Sequence, residues 1–176
     1  MVKKSILTFE ELHPSERKVN VRTLEEVITL ALEIAREGRE GRKIGTMFVV
    51  SDAENTLKHS ISMILDPLSC HPDEVRHIEE PNLRETVKEL AQLDGAFIVS
   101  DSGIVLSACR YIDASSRGIR LPLGLGSRHM AAASITKRTN AVAVVVSESS
   151  IIRIFDNGKL IGEILPEEWP IHPEID

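Results

Sequence analysis

The sequence predicts an α/β fold: a mixed central β-sheet flanked by helices. Three observations carry this. Segments of helical period alternate with short apolar runs of strand character. Two hairpin signals, at Asp101-Ser102-Gly103 and at Asp156-Asn157-Gly158, require antiparallel neighbours. The near-continuous apolar run Ala141–Val146 reads as a strand covered on both faces, central in its sheet.

Residues 1–20 mix charge and hydrophobe without a period and read as an arm or a connection to something upstream. The domain is expected over 21–165 and a proline-bearing surface tail over 166–176. Thr23-Leu24-Glu25-Glu26 has the form of a capping box. The helix it opens buries Leu24, Val27, Ile28, Ala31, Ile34 and Ala35 on one face. The polar segment Glu37–Lys43 ends that helix, and Thr46–Val50 is a first buried strand. Leu57–Leu65 alternates, as a second strand or a loop with one short strand. Asp66–Pro81, with three prolines, is expected to be irregular. Asn82-Leu83-Arg84-Glu85 caps a helix running to about Leu93. Ala96–Val99 and Ile104–Tyr111 form the first hairpin. A loop over Asp113–Pro122 leads to a helix from about Arg128 to Arg138, closed by Asn140. Ile151–Phe155 and Lys159–Ile164 form the second hairpin.

The chain has 176 residues, which suits one domain with a buried core. Apolar and charged contents, 42% and 27%, are those of an ordinary globular protein. Aromatic residues make up only 3%, so the core is aliphatic, and the low content argues against a stacking surface for single-stranded nucleic acid. A net charge of -6 without a basic run argues against capture of duplex nucleic acid. No window is long enough to span a membrane, and no signal peptide is evident. Cys70 and Cys109 lack metal-ligand spacing. Two reduced thiols in a cytoplasmic setting are the simplest reading, although one disulfide is compatible with the sequence. His59, His71 and His77 lack ligand spacing and read as loop or solvent-facing residues. No phosphate-binding glycine motif of the Walker or dinucleotide type is present.

The stretch with most chemical content is Gly124-Leu125-Gly126-Ser127-Arg128-His129-Met130, followed by three alanines. Ser127 is placed to be the N-cap of the helix. Arg128 and His129 then sit where the helix end is already partly positive. That mismatch suits an anion held by free N–H groups, a hydroxyl, a guanidinium and an imidazole. An exposed helix start with both side chains in water is the plainer alternative. Two more pieces stand at element ends, Asp94-Gly95-Ala96 and Ser147-Glu148, where ligands gather in open α/β folds. Asp94 and Glu148 together suit a hard divalent cation. Alone, Asp94-Gly95 is a common turn and Ser147-Glu148 a strand end. Cys109 reads as a core thiol.

Taken in order, these pieces resemble the diadenylate cyclase (DAC, or DisA_N) domain family. Its hallmarks are Asp-Gly-Ala, then Gly-Thr-Arg-His-Arg, then Val-Ser-Glu after the next strand. This chain carries Asp94-Gly95-Ala96, Gly126-Ser127-Arg128-His129-Met130 and Val146-Ser147-Glu148. The resemblance covers most of residues 23–165 and is closer to the soluble members than to the membrane-anchored ones. Ser127 keeps the hydroxyl of the family threonine. Met130 replaces an arginine and removes a bidentate phosphate donor, with Arg117, Arg120 and Lys137 as candidates to compensate.

The resemblance implies condensation of two ATP molecules into cyclic di-AMP, with release of two pyrophosphates, across a face-to-face homodimer or larger homo-oligomer. Carried over, Asp94 activates the 3′-hydroxyl and binds Mn²⁺ or Mg²⁺, with Glu148 as a second metal ligand. Gly95 and Ala96 admit the ribose and phosphate. Gly126, Ser127, Arg128 and His129 hold the triphosphate. Ile112 meets adenine through its main chain, and Ser147 lies near the nucleotide. Nucleic acid and membrane are not expected partners. A catalytically silent nucleotide-binding regulatory module is the alternative, and a purely structural oligomerisation domain the third.

Overall fold

The computed structural model describes residues 19–168. The expected arm at 1–20 and tail at 166–176 therefore lie largely outside the described residues. Where they are described, Val19 is buried and the Pro166 carbonyl accepts from the Arg36 guanidinium at 2.8 Å.

Seven strands form one mixed sheet: β1 (Thr46–Val50), β2 (Ser60–Ser62), β3 (Ala96–Val99), β4 (Val105–Ile112), β5 (Val142–Val146), β6 (Ile152–Asp156) and β7 (Lys159–Ile164). Their order is β2-β4-β3-β1-β5-β6-β7. Only β1 and β3 are parallel, and every other neighbouring pair is antiparallel. Helices α1 (Val21–Glu37), α2 (Ala53–Lys58), α3 (Pro81–Leu90) and α4 (Ser127–Arg138) complete the architecture.

The sheet is covered on both faces, which explains the unbroken apolar runs of β1 and β5. Phe48, Val50, Phe97, Val99, Val142, Val144 and Val146 pack on the α1 side with Val27, Ile28, Ala31 and Ile34. The alternate residues Met47, Val49, Ile98, Ala143 and Val145 pack on the other side with Ala132, Ala133 and Ile135 of α4. Small residues let the α4 backbone approach the sheet closely. Thr136 pins its far end to the second hairpin by accepting from the Gly158 N–H at 3.1 Å.

Helix starts differ from the sequence reading. α1 begins earlier: Asn20 is its N-cap and accepts from the Thr23 N–H at 3.1 Å. The Thr23 hydroxyl instead donates to the Asp101 carbonyl at 2.8 Å, tying α1 to the first hairpin. α3 starts at Pro81 with Glu80 before it, because proline suits the first helical position. It ends at Leu90, short of Leu93. Gly126, not Ser127, caps α4, so the Ser127 hydroxyl is left out of capping. Thr139, whose N–H bonds the Ile135 carbonyl, closes α4 before Asn140. α2 occupies Ala53–Lys58, ahead of the short strand β2.

The first hairpin is irregular where the site will form. Ala96 pairs with Arg110 but Ile98 with Ser107, so β4 carries one extra residue there. Cys109 sits at φ 54° in this bulge. The freed Ala108 N–H donates to an Asp66 carboxylate oxygen at 3.0 Å, and the Ser107 hydroxyl donates to the other oxygen at 2.6 Å. The bulge turns β4 so that Arg110, Tyr111 and Ile112 come to a cleft.

Candidate active site: a cleft at one end of the sheet

Three strand ends meet at one end of the sheet, an edge that runs across the strands β3, β1 and β5. Thr46 begins β1 opposite Val146, the last residue of β5, and Met47 lies beside Ala96, the first residue of β3. Asp94-Gly95 therefore enters this edge and Ser147-Glu148 leaves it. The start of α4 closes over the same place. The result is a cavity of about 540 Å³, within the range of small-molecule sites. Asp94, Gly95, Ala96, Ile112, Gly126, Ser127, Arg128, His129, Ser147 and Glu148 all line it. The edge is the N-terminal end of the parallel pair β1/β3, the reverse of the doubly wound rule.

The polar groups here are largely unengaged within the chain. The side chains of Asp94, Ser127, Arg128 and Glu148 make no hydrogen bond or ion pair among the described residues. The Gly126 carbonyl takes the N–H of His129 at 3.1 Å and of Met130 at 3.2 Å. The Ser127 and Arg128 N–H groups keep no acceptor among the described residues. Ser147 differs: its hydroxyl is shared with Ser149 at 2.7 Å and accepts from the Ile151 N–H at 3.2 Å. It shapes the exit of β5.

Two glycines set the walls. Gly95 has φ +105°, and a Cβ there would lie 2.5 Å from the Cys109 carbonyl carbon. Its requirement comes from the approach of β4 as well as from the cleft. Gly45, unremarked in the sequence, has the Arg128 guanidinium directly over its backbone, and a Cβ would also meet Glu148 Cγ at 3.1 Å. At Gly126 a Cβ meets nothing within 4 Å, so any need for glycine there arises from what fills the cleft.

His129 is 7% exposed. Burial pushes its imidazole below the ordinary value of 6.5, helped by the Arg153 and Arg128 charges and opposed by Glu163. Burial, with Asp66 nearby, pushes the Cys109 thiol up, consistent with a core thiol and against a nucleophile. Cys70 and Cys109 are both free.

Among the described residues no group of three or more His, Cys, Asp or Glu forms a ready-made metal cage. Two carboxylates, Asp94 and Glu148, do share the cleft. That set suits a hard cation that completes its shell with water and phosphate oxygens. A second cavity of about 240 Å³ adjoins across Asp94, Arg128 and Glu148 and is lined by Arg39, Arg42 and Lys43. Arg117 and Lys137, considered as replacements for the cation missing at Met130, line a different cavity, where Lys137 donates to the Gly118 carbonyl at 2.7 Å. Met130 is not among the residues lining the cleft. Sequence reasoning missed Gly45, Arg110, Tyr111 and Arg153. Only Gly45, a glycine just before a buried strand, carried a local signal.

The family model for DAC, described as DisA bacterial checkpoint controller nucleotide-binding, matches residues 33–160. A diadenylate cyclase of Methanocaldococcus jannaschii is 45% identical over 161 residues, covering 91% of this chain and 51% of the relative. A diadenylate cyclase of Haloferax volcanii is 42% identical over 149 residues, covering 83% and 54%. The chain thus spans about half the length of the curated relatives it matches. Among solved structures, a double mutant of DacA from Staphylococcus aureus aligns with TM-score 0.52 at 25% identity, covering 83% of this chain and 89% of that one. A hypothetical membrane spanning protein from Bacillus cereus shares the fold, with TM-score 0.59 at 22% identity over 78% of this chain and 61% of that one. Among the described residues no helix is long and apolar enough to cross a membrane. By the family model matched over most of its length, the chain belongs to the DAC family.

Proposed function

We propose that this chain is a diadenylate cyclase domain that condenses two ATP molecules into cyclic di-AMP and releases two pyrophosphates. One observation carries the reading. Asp94, Ser127, Arg128 and Glu148 converge on one cavity sized for a small ligand while making no polar contact with the rest of the described chain. Unpartnered charge of both signs in one cleft is what a metal-nucleotide complex satisfies.

Phosphoryl transfer needs positioning and charge neutralisation more than covalent help. Arg128, the Ser127 hydroxyl and the first N–H groups of α4 hold the triphosphate, and His129 adds a ring donor. Ile112 and Tyr111 border the base and ribose. Each 3′-oxygen attacks the other nucleotide's α-phosphorus, forming a phosphodiester bond. The bond from that phosphorus to the bridging oxygen of the β-phosphate breaks, and pyrophosphate leaves with the electron pair. Asp94 takes the hydroxyl proton. Asp94 and Glu148 would hold Mn²⁺ or Mg²⁺, which lowers the hydroxyl pKa and offsets charge developing on phosphate.

A product with two equivalent halves calls for two ATP sites facing each other, hence a second copy of the chain. Tyr111, which lines the cleft, is 57% exposed, and its cross-strand neighbour Ile61 is 65% exposed. This apolar surface at the mouth suits such a homodimer or larger homo-oligomer. The reading carries with it a domain over 21–165 and a cytoplasmic location.

Met130, where the family carries an arginine, raises a second reading, a nucleotide-binding regulatory module without turnover; that Met130 does not line the cleft weighs toward the cyclase. Chromatography of the purified chain incubated with ATP and Mn²⁺ separates the two. Cyclic di-AMP with two pyrophosphates per product supports the cyclase. ATP that binds but remains intact supports the module.

A further inference from the structure

His129 has two ring nitrogens in different situations. Nε2 lies 3.3 Å from Arg153 Nη1. Nδ1 is buried and has no hydrogen-bond partner. Arginine offers only donors, so a hydrogen bond across this contact requires the lone pair on Nε2 and the ring proton on Nδ1. Arg153 is itself held. It stands opposite Glu163 in the β6–β7 ladder, and its Nε donates to a Glu163 carboxylate oxygen at 3.3 Å. Phe155, two residues along β6, flanks the same imidazole with ring centroids 6.1 Å apart. The ring is thus fixed from the sheet side by β6, while the residue lines the cleft.

We propose that Arg153 is a positioning residue: backed by Glu163, it holds His129 as the neutral tautomer with its proton on Nδ1, so that His129 meets the triphosphate as a hydrogen-bond donor and not as a cation. The proposal rests on the cleft being the ATP site. It gives a role to a buried ring nitrogen that has no partner among the described residues, a kind of group that native folds rarely leave without one. It also accounts for a cation placed against a histidine: a proton on Nε2 would face the Arg153 N–H directly. The charged groups acting on the ring are Arg153 from β6, Glu163 from β7 and Arg128 from α4. Two of the three are positive, and burial acts in the same direction. The positive charge at the triphosphate then comes from Arg128, and His129 contributes direction.

The test is ¹⁵N NMR of histidine-labelled protein, which reads the tautomer of each ring. The wild-type chain without nucleotide is expected to show His129 neutral with Nδ1 protonated, and its Nδ1 signal to move when ATP is added. Arg153→Met is expected to release the ring to the commoner Nε2-protonated form. It should also raise the KM for ATP about tenfold, the loss of one charge-assisted hydrogen bond. Part of that loss should return as pH is lowered from about 8 to about 6, because the freed ring gains a proton and binds phosphate as a cation. Glu163→Gln, which leaves Arg153 in place, should give the same changes at smaller size and serves if Arg153→Met does not fold. A wild-type ring protonated on Nε2, or an Nδ1-protonated ring in Arg153→Met, would overturn the proposal. An Nδ1 signal that ignores ATP, while ATP still raises the melting temperature, overturns the proposal and leaves the site standing. Absence of any ATP binding removes both.

Discussion

Two charged regions of this molecule use the same residue types in opposite ways. Between α1 and α3, Lys88 reaches Glu33 at 2.9 Å, Glu85 at 2.9 Å and Glu37 at 3.2 Å. Arg84 pairs with Glu26 at 3.2 Å and with Glu33. Arg39 adds Glu89 at 3.0 Å. Every cation there has a carboxylate. Burial works against the Lys88 ammonium, yet the hydrogen bonds it donates to Glu85, Glu33 and Glu37 hold it above its ordinary value. Burial also works against the Glu33 carboxylate, and bonds from Lys88 and Arg84 outweigh it, so its carboxyl stays below 4.5. In the cleft, Asp94, Arg128 and Glu148 share a cavity without pairing. The first region is complete within the chain and fastens α3 to α1. The second is left open among the described residues, as the proposed nucleotide site requires. Charge density alone does not mark a functional site, since the denser cluster here fastens two helices.

The sharpest way to break this contrast is Asp94→Asn. The amide keeps the shape and loses the charge that metal binding and proton acceptance require. Turnover should fall about a thousandfold or more, with the melting temperature unchanged, because Asp94 is exposed and holds nothing in the fold. Product formation near the wild-type rate would remove Asp94 from the mechanism.

Lys88→Met is the counterpart. It should lower stability by about 2 kcal/mol, read by denaturant unfolding, while leaving the KM for ATP unchanged. It also changes the acid limb. The Glu33 carboxyl is depressed in the folded state, so its contribution is complete above 4.5 and is lost as pH falls through the folded value. Without Lys88 the depression shrinks, and the loss of stability on acidification should become shallower. A KM change in this variant would show that the cluster serves the cleft.

Gly126→Ala gives the smallest effect on the fold. The added methyl finds open space, so stability should move by less than about 0.5 kcal/mol. ATP binding should weaken if the nucleotide passes close to this backbone. Unchanged nucleotide affinity would place the triphosphate away from Gly126.

How much of this was legible in the sequence follows from the kind of information each feature needs. The strands were readable because burial on two faces writes itself as Thr46–Val50 and Val142–Val146. The Asn157-Gly158 turn was readable because both residues must take positive φ, and they do, at 48° and 77°. Helix starts were harder. Thr23 and Ser127 are good cap residues, but the cap falls to whichever residue leaves the helical backbone first, here Asn20 and Gly126. Helix α2 was not seen: its six residues carry no apolar period and it opens after Asp52 at φ 44°. The ordered motifs brought nine residues to one cavity wall because they sit at element ends that the topology gathers, and Ile112 joins them from the end of β4. Arg153 and the bulge at Cys109 were invisible, since each is defined by a neighbour far along the chain: α4 for Arg153, and Asp66 with β3 for Cys109.

The contrast between the two charged regions is tested most directly by calorimetric titration of three proteins with a non-hydrolysable ATP analogue and Mg²⁺: wild type, Arg128→Ala and Lys88→Met. One nucleotide per chain is expected for wild type and for Lys88→Met at equal affinity. Arg128→Ala should bind roughly a hundredfold more weakly, the loss of a charged, two-pronged phosphate contact. Equal affinity in Arg128→Ala, or loss of binding in Lys88→Met, would contradict the account.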